Sequence, residues 1–158
     1  MSTSRILLVA LCVASLAVLL WLAWRMQRRL EIGLPPQEVC RNEADARARA
    51  GASAIAVLGT GSMAPYIPAA PPGFDPLKVT VALVTLRPAA TFADIRAGDL
   101  CVYHAAWLVG STICHQAAQH DADGWIMSGL ANAHSEPSWR VTAANFVGIV
   151  GKSYVWPL

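Results

Sequence analysis

The sequence predicts a mainly β protein: an N-terminal transmembrane helix followed by a small antiparallel β domain. Three observations predict it. Residues 6–24 (ILLVALCVASLAVLLWLAW) form a run of 19 residues without a charge. Beyond residue 54, short apolar and β-branched runs recur at regular spacing, parted by Gly, Pro and Asp turn signals. The same region carries no long helical pattern. The chain then divides into residues 1–29, an anchor with a basic flank, residues 30–54, a spacer, and residues 55–158, the β domain.

As a helix, the uncharged run would be about 28 Å long, which spans a bilayer core. Trp21 and Trp24 stand near its end, where amphipathic rings favour the interface. The run exceeds the apolar core of a cleaved signal peptide, and no small-x-small site follows it. Trp24-Arg25-Met26-Gln27-Arg28-Arg29 reads as a stop, so the segment is expected to be retained and the protein to be single-pass. The three arginines after it, taken alone, favour a cytoplasmic β domain.

Charge excludes one class of partner. Residues 1–29 hold Arg5, Arg25, Arg28 and Arg29 and no acid, while the rest carries eight basic and ten acidic residues. The formal excess of +2 is therefore a membrane-flank effect. There is no Lys/Arg stripe and no aromatic interleaving, so no nucleic-acid surface is expected. The four cysteines form no C-x-x-C pair, and neither they nor the histidines have zinc spacing. No metal or other cofactor is expected. Cys101 and Cys114 could face each other across paired strands, as suits an oxidising compartment, or could be buried thiols acting as small hydrophobes.

Along the chain, Leu34-Pro35-Pro36 ends any helix before it. Residues 37–50 (QEVCRNEADARARA) suit a short amphipathic helix. Residues 55–58 read as a short strand, and five prolines make residues 64–76 a loop. Residues 78–86 (KVTVALVTL) suit a buried strand. Residues 92–99 form a turn, 100–104 a strand and 111–118 a further strand. His120-Asp121-Ala122-Asp123-Gly124 is a turn signal. Residues 125–127 are strand-like, 129–137 loop, and 145–151 a closing strand.

Chemistry concentrates at Gly59-Thr60-Gly61-Ser62-Met63-Ala64-Pro65. Gly61 frees the backbone and leaves room for an approaching chain, and Pro65 stiffens the exit. A serine hydroxyl on such a turn is accessible, yet weak as a nucleophile until a base takes its proton. The base could be Lys78, Lys152 or one of four histidines. Lys78 opens an apolar strand and Lys152 lies near the end of the chain. His104 ends a strand, His120 sits in an acidic turn and His134 in a loop. His115 lies mid-strand in an apolar run. With an ordinary pKa of about 6.5 it is a ready general base. The same residue could equally be a satisfied sheet histidine.

The order of these signals resembles the signal peptidase I-type membrane serine proteases, relatives of the LexA-like peptidases. Thr60-Gly61-Ser62-Met63-Ala64-Pro65 is similar to the family's Ser-Gly-Ser-Met-x-Pro box. Residues 95–103 (IRAGDLCVY) resemble its Gly-Asp-Ile-Val-x-Phe/Tyr strand. Ile113-Cys114-His115-Gln116 falls where bacterial members carry Lys-Arg and the His-using branch carries His-Arg. Gly129-Leu130-Ala131-Asn132 falls at the Gly-Asp-x-Asn box, and Phe146-Val147-Gly148-Ile149-Val150 resembles the closing Gly-x-Val strand. The likeness covers residues 55–151.

The resemblance implies a β domain of signal peptidase/LexA-like type and a serine endopeptidase cleaving secreted or membrane-linked precursors after small residues. Ser62 would be the nucleophile and His115 the general base. The Ser62 backbone N–H and the Thr60 hydroxyl would form the oxyanion hole. Gly61, Met63 and Pro65 would bind an extended substrate by strand addition. It places the β domain outside the cytoplasm, against the arginine count. Two departures stand out: the box aspartate is Leu130, and Gln116 replaces the arginine. Glu136 lies where the His branch has a further acid, which would orient His115. A second reading follows from Leu130: a weak or inactive anchored β module that binds extended peptides within a membrane complex.

Overall fold

The computed structural model describes residues 15–19, 34–105, 112–132 and 136–158, with side chains throughout these except at 136–139. The chain divides into two units, Met1–Ile32 and Gly33–Leu158. Of the first, residues 15–19 are described and are helical. Most of the expected anchor lies outside the described residues, and among those described no helix is long and apolar enough to cross a membrane.

The second unit is mainly β. Its elements are β1 (Gln37–Val39), α1 (Glu43–Ala50), β2 (Ile55–Leu58), β3 (Thr80–Leu86), β4 (Leu100–His104), β5 (Thr112–Asp121), β6 (Gly124–Ser128), β7 (Glu136–Val141) and β8 (Phe146–Val155). They form one sheet in the order β2-β3-β8-β4-β5-β6-β7, antiparallel throughout, with β1 added parallel to β8. β8 is the hub. Residues 146–149 pair with β4, and residues 150–155 with β3. Residues 153–155 also take β1 on the side away from β3.

Three buried clusters hold the sheet. Leu100 and Val102 enter one with Val81, Val84, Cys114 and Val150. Cys101 and Tyr103 enter a second with Ile95, Ala117, Met127, Val141 and Ile149. Successive residues of a strand point to opposite faces, so the unbroken apolar run of β4 is explained by cover on both sides.

The region expected to be a spacer is part of this unit. Only residues 43–50 of the predicted helix are helical. Asn42 stops it at the front by accepting from the Asp45 N–H at 2.9 Å, which satisfies one of the free donors of a first turn. The residues before it join β8 as a strand instead. Cys40, Ala46 and Ala50 pack with Leu83, Tyr154 and Trp156 in the third cluster.

Two further expectations change. Residues 136 and 137, expected in a loop, open β7. Proline is tolerated there because β7 ends the sheet and needs no donor on its outer side. The register of β4 against β5 pairs Cys101 with His115 and Cys114 with Val102. The two cysteines therefore lie on opposite faces, and with Cys40 they are free, buried thiols. A Cys101–Cys114 disulfide is excluded by that register.

Candidate active site

Ser62 sits on a turn that leaves β2 and is pinned from several sides. Gly61 has φ +79°, the left-handed region that glycine enters without cost. Behind Ser62, Met63 and Ile67 are each 2% exposed and buried in the first cluster. Burying side chains of this size contributes roughly 1.5–3 kcal/mol each, so the turn is nailed down by the residues that flank its serine. In front, the Ala131 N–H donates to the Ser62 carbonyl at 2.9 Å. Gly129 lies so close that a Cβ there would stand 2.5 Å from the same oxygen.

His115 meets this serine. Its Nε2 lies 3.0 Å from Ser62 Oγ. The strand that carries it is clamped just beyond. Ala117 donates to Asp99 O and accepts from the Gly98 N–H, both at 2.8 Å, and Gln116 Nε2 donates to Gly98 O at 3.0 Å. Asp99 accepts in turn from the Arg96 N–H at 2.8 Å and from Arg87 Nη2 at 3.1 Å. The Gly98-Asp99 turn thus holds β5 in register next to His115, and Gln116 takes part in that clamp.

Burial sets the electrostatics. His115 is 2% exposed, and the loss of solvation pushes its pKa down to about 4. The ring is neutral at pH 7, the form that can accept a proton. Burial acts oppositely on the thiols, and pushes Cys101 and Cys114 up to about 12. Cys114 lines the same cavity, and its thiol keeps its proton at neutral pH.

The pair opens onto a cavity of about 170 Å³. Its walls are Val57, Leu58, Met63, Ile67, Leu77, Ile113 and Cys114, with Thr60, Gly61, Ser62 and His115 at the polar end. β2 and the first part of β5 border it. β2 ends the sheet, and β6 pairs with β5 only from Gln116 onward. Among the described ladders, therefore, one side of β2 and one side of residues 112–115 carry no partner strand.

The other expected residues divide. Thr60 Oγ1 lies 3.2 Å from Ser62 Oγ, so the two hydroxyls stand side by side at the polar end of the cavity. Gly61 and Met63 line the cavity, whereas Pro65 is exposed and outside the lining. Glu136 opens β7 opposite Met127, and its side chain lies outside the described residues. Leu130 packs against the first cluster, as an apolar side chain in that place would. Lys78 and Lys152 point elsewhere, to Asp75 at 3.4 Å and to Glu38 at 2.5 Å. Among the described residues no three His, Cys, Asp or Glu side chains group closely enough to hold a metal ion.

One neighbour of the pair escaped the sequence reading. Tyr103 Oη stands 3.4 Å from His115 Nδ1. The only signal for it is strand alternation combined with the β4–β5 register, and the register depends on a connection that the residues do not spell out. Comparison of the chain with protein-family models, with curated proteins and with solved structures finds no match.

Proposed function

We propose that the chain is a serine endopeptidase of the Ser–His type that acts on extended polypeptide, and that its membrane-anchored, signal peptidase I-like character follows from the motif order. The observation that carries the reading is the Ser62 Oγ–His115 Nε2 approach of 3.0 Å at the head of an apolar cleft. His115 takes the Ser62 proton on Nε2 as Oγ attacks the scissile carbonyl carbon. The Ser62 N–H and the Thr60 hydroxyl hold the oxyanion. The imidazolium then gives its proton to the leaving amine, and water, activated by the same ring, releases the acyl group from Ser62. An extended substrate would pair with the open sides of β2 and residues 112–115. A small residue before the cut follows from the family likeness, as does a position outside the cytoplasm near the bilayer surface.

A second reading, an anchored module that binds extended peptides without cutting them, draws on Leu130. The position that resembles the family's orienting aspartate is filled by a half-buried apolar side chain that packs against the core. Both readings use the same cleft and differ in turnover.

The test is cleavage of internally quenched peptides carrying Ala before the cut, by the full chain in detergent. Ser62→Ala and His115→Ala should each lower kcat at least about a thousandfold, and Lys78→Ala and Lys152→Ala should leave it unchanged. Full activity in His115→Ala with either lysine variant dead would make this a lysine-dependent enzyme. Binding without cleavage, equal in wild type and Ser62→Ala, would favour the second reading.

A further inference from the structure

Tyr103 and His115 are diagonal neighbours across the β4–β5 ladder. Tyr103 stands opposite Ile113, and Cys101 opposite His115. Residues two apart on a strand share a face, and a diagonal pair lies within reach of aromatic side chains. Tyr103 is 1% exposed, and the two rings stand 6.4 Å apart at 58°. The imidazole is thus bracketed, with Ser62 Oγ at Nε2 and Tyr103 Oη at Nδ1.

A neutral imidazole carries one N–H, and the nitrogen without it is the acceptor. A ring that takes a proton from Ser62 must leave Nε2 bare, so the hydrogen must sit on Nδ1. There it meets a phenol oxygen with lone pairs to offer. We propose that Tyr103 is a positioning residue which accepts the His115 Nδ1–H, and so holds the ring in the tautomer and orientation that the Ser62 proton transfer needs. The inference rests on the peptidase reading for its consequence, but the tautomer itself can be observed without any turnover. A phenol stays neutral, so this partner orients the imidazolium with less charge stabilisation than a carboxylate gives. The separation of 3.4 Å is at the long end for such a bond.

The experiment is nitrogen NMR of protein labelled at histidine, at pH 7, on wild type and Tyr103→Phe, with peptide kinetics alongside. Wild type should show His115 protonated at Nδ1 and bare at Nε2. Tyr103→Phe keeps the packed ring and removes the hydroxyl. It should shift population toward the Nε2–H tautomer and lower kcat about three- to tenfold with KM unchanged, the size of one neutral hydrogen bond. Wild-type His115 protonated at Nε2 overturns the proposal even if the variant fails to fold. So does a Tyr103→Phe protein whose tautomer and kcat match wild type. Failure of the peptidase reading looks different: no cleavage above Ser62→Ala, whatever the nitrogen shifts report.

Discussion

A histidine buried to 2% exposure makes pH a stability variable. The folded ring binds its proton at about pH 4, and the unfolded chain binds it at about 6.5. Between these values the unfolded state takes up a proton that the folded state refuses, so stability falls as pH drops through that window. The loss is on the order of 3 kcal/mol. Urea midpoints against pH should show it in wild type and lose it in His115→Gln. The same displacement governs cleavage. The acid limb of kcat/KM should have its midpoint near pH 4, and a midpoint of 6 to 7 would mean that burial does not control the ring. The residue types alone place that midpoint at about pH 6–7, because they reveal a histidine in an apolar strand but not how completely it is desolvated. Ser62, Thr60 and His115 were legible as a set through motif order. Tyr103 was not, since its role exists only once two strands are in register. Pro65 stands outside the cavity lining, because a sequence box does not say which of its members face the cavity.

At the scale of elements, the serine turn is held by a second turn far along the chain. The Gly129–Asn132 segment touches the Ser62 carbonyl through the Ala131 N–H and leaves no room at Gly129 for a side chain. Gly129→Ala must displace one turn from the other. A shift of about 1 Å at a reacting group can cost roughly a hundredfold in rate, so kcat should fall by about that factor while far-UV circular dichroism stays unchanged. A fully active Gly129→Ala enzyme would show that Ser62 is positioned by Met63 and Ile67 alone. The existence of β2 to β6 and of β8 is readable from the apolar and β-branched runs, and β4 matches to the residue, whereas β7 opens inside an expected loop. Strand ends were less readable. β8 extends four residues beyond the expected close at residue 151, since Tyr154 and Val155 find cover only after α1 and β3 are in place. β1 is three residues long, too short for periodicity to announce, and its parallel partner lies more than a hundred residues away.

For the unit as a whole, β8 joins what would otherwise be two separate sheets. Ile149 and Val150 are neighbours in sequence yet enter different clusters, and Tyr154 enters the third. Ile149→Ala should therefore cost about 2–5 kcal/mol and weaken both halves together. Native-state hydrogen exchange should show amides of the β2–β3 and β5–β6 ladders losing the same free energy. A loss confined to β4–β7 would mean that the halves unfold independently. The mainly β class was legible because it depends on the count and spacing of apolar runs. The joining role of β8 was not, because it depends on which strands find each other. That topology also sets an order of events during synthesis. Ribosomes make β1, α1, β2 and β3 first and β4 to β7 next, and the strand that unites them only afterwards. Each partial chain carries two sheet fragments with open flanks where β8 will lie. Closure waits on contacts between residues distant in the chain, which are slow to form. The nascent protein thus remains unclosed until residue 146 and those after it have emerged.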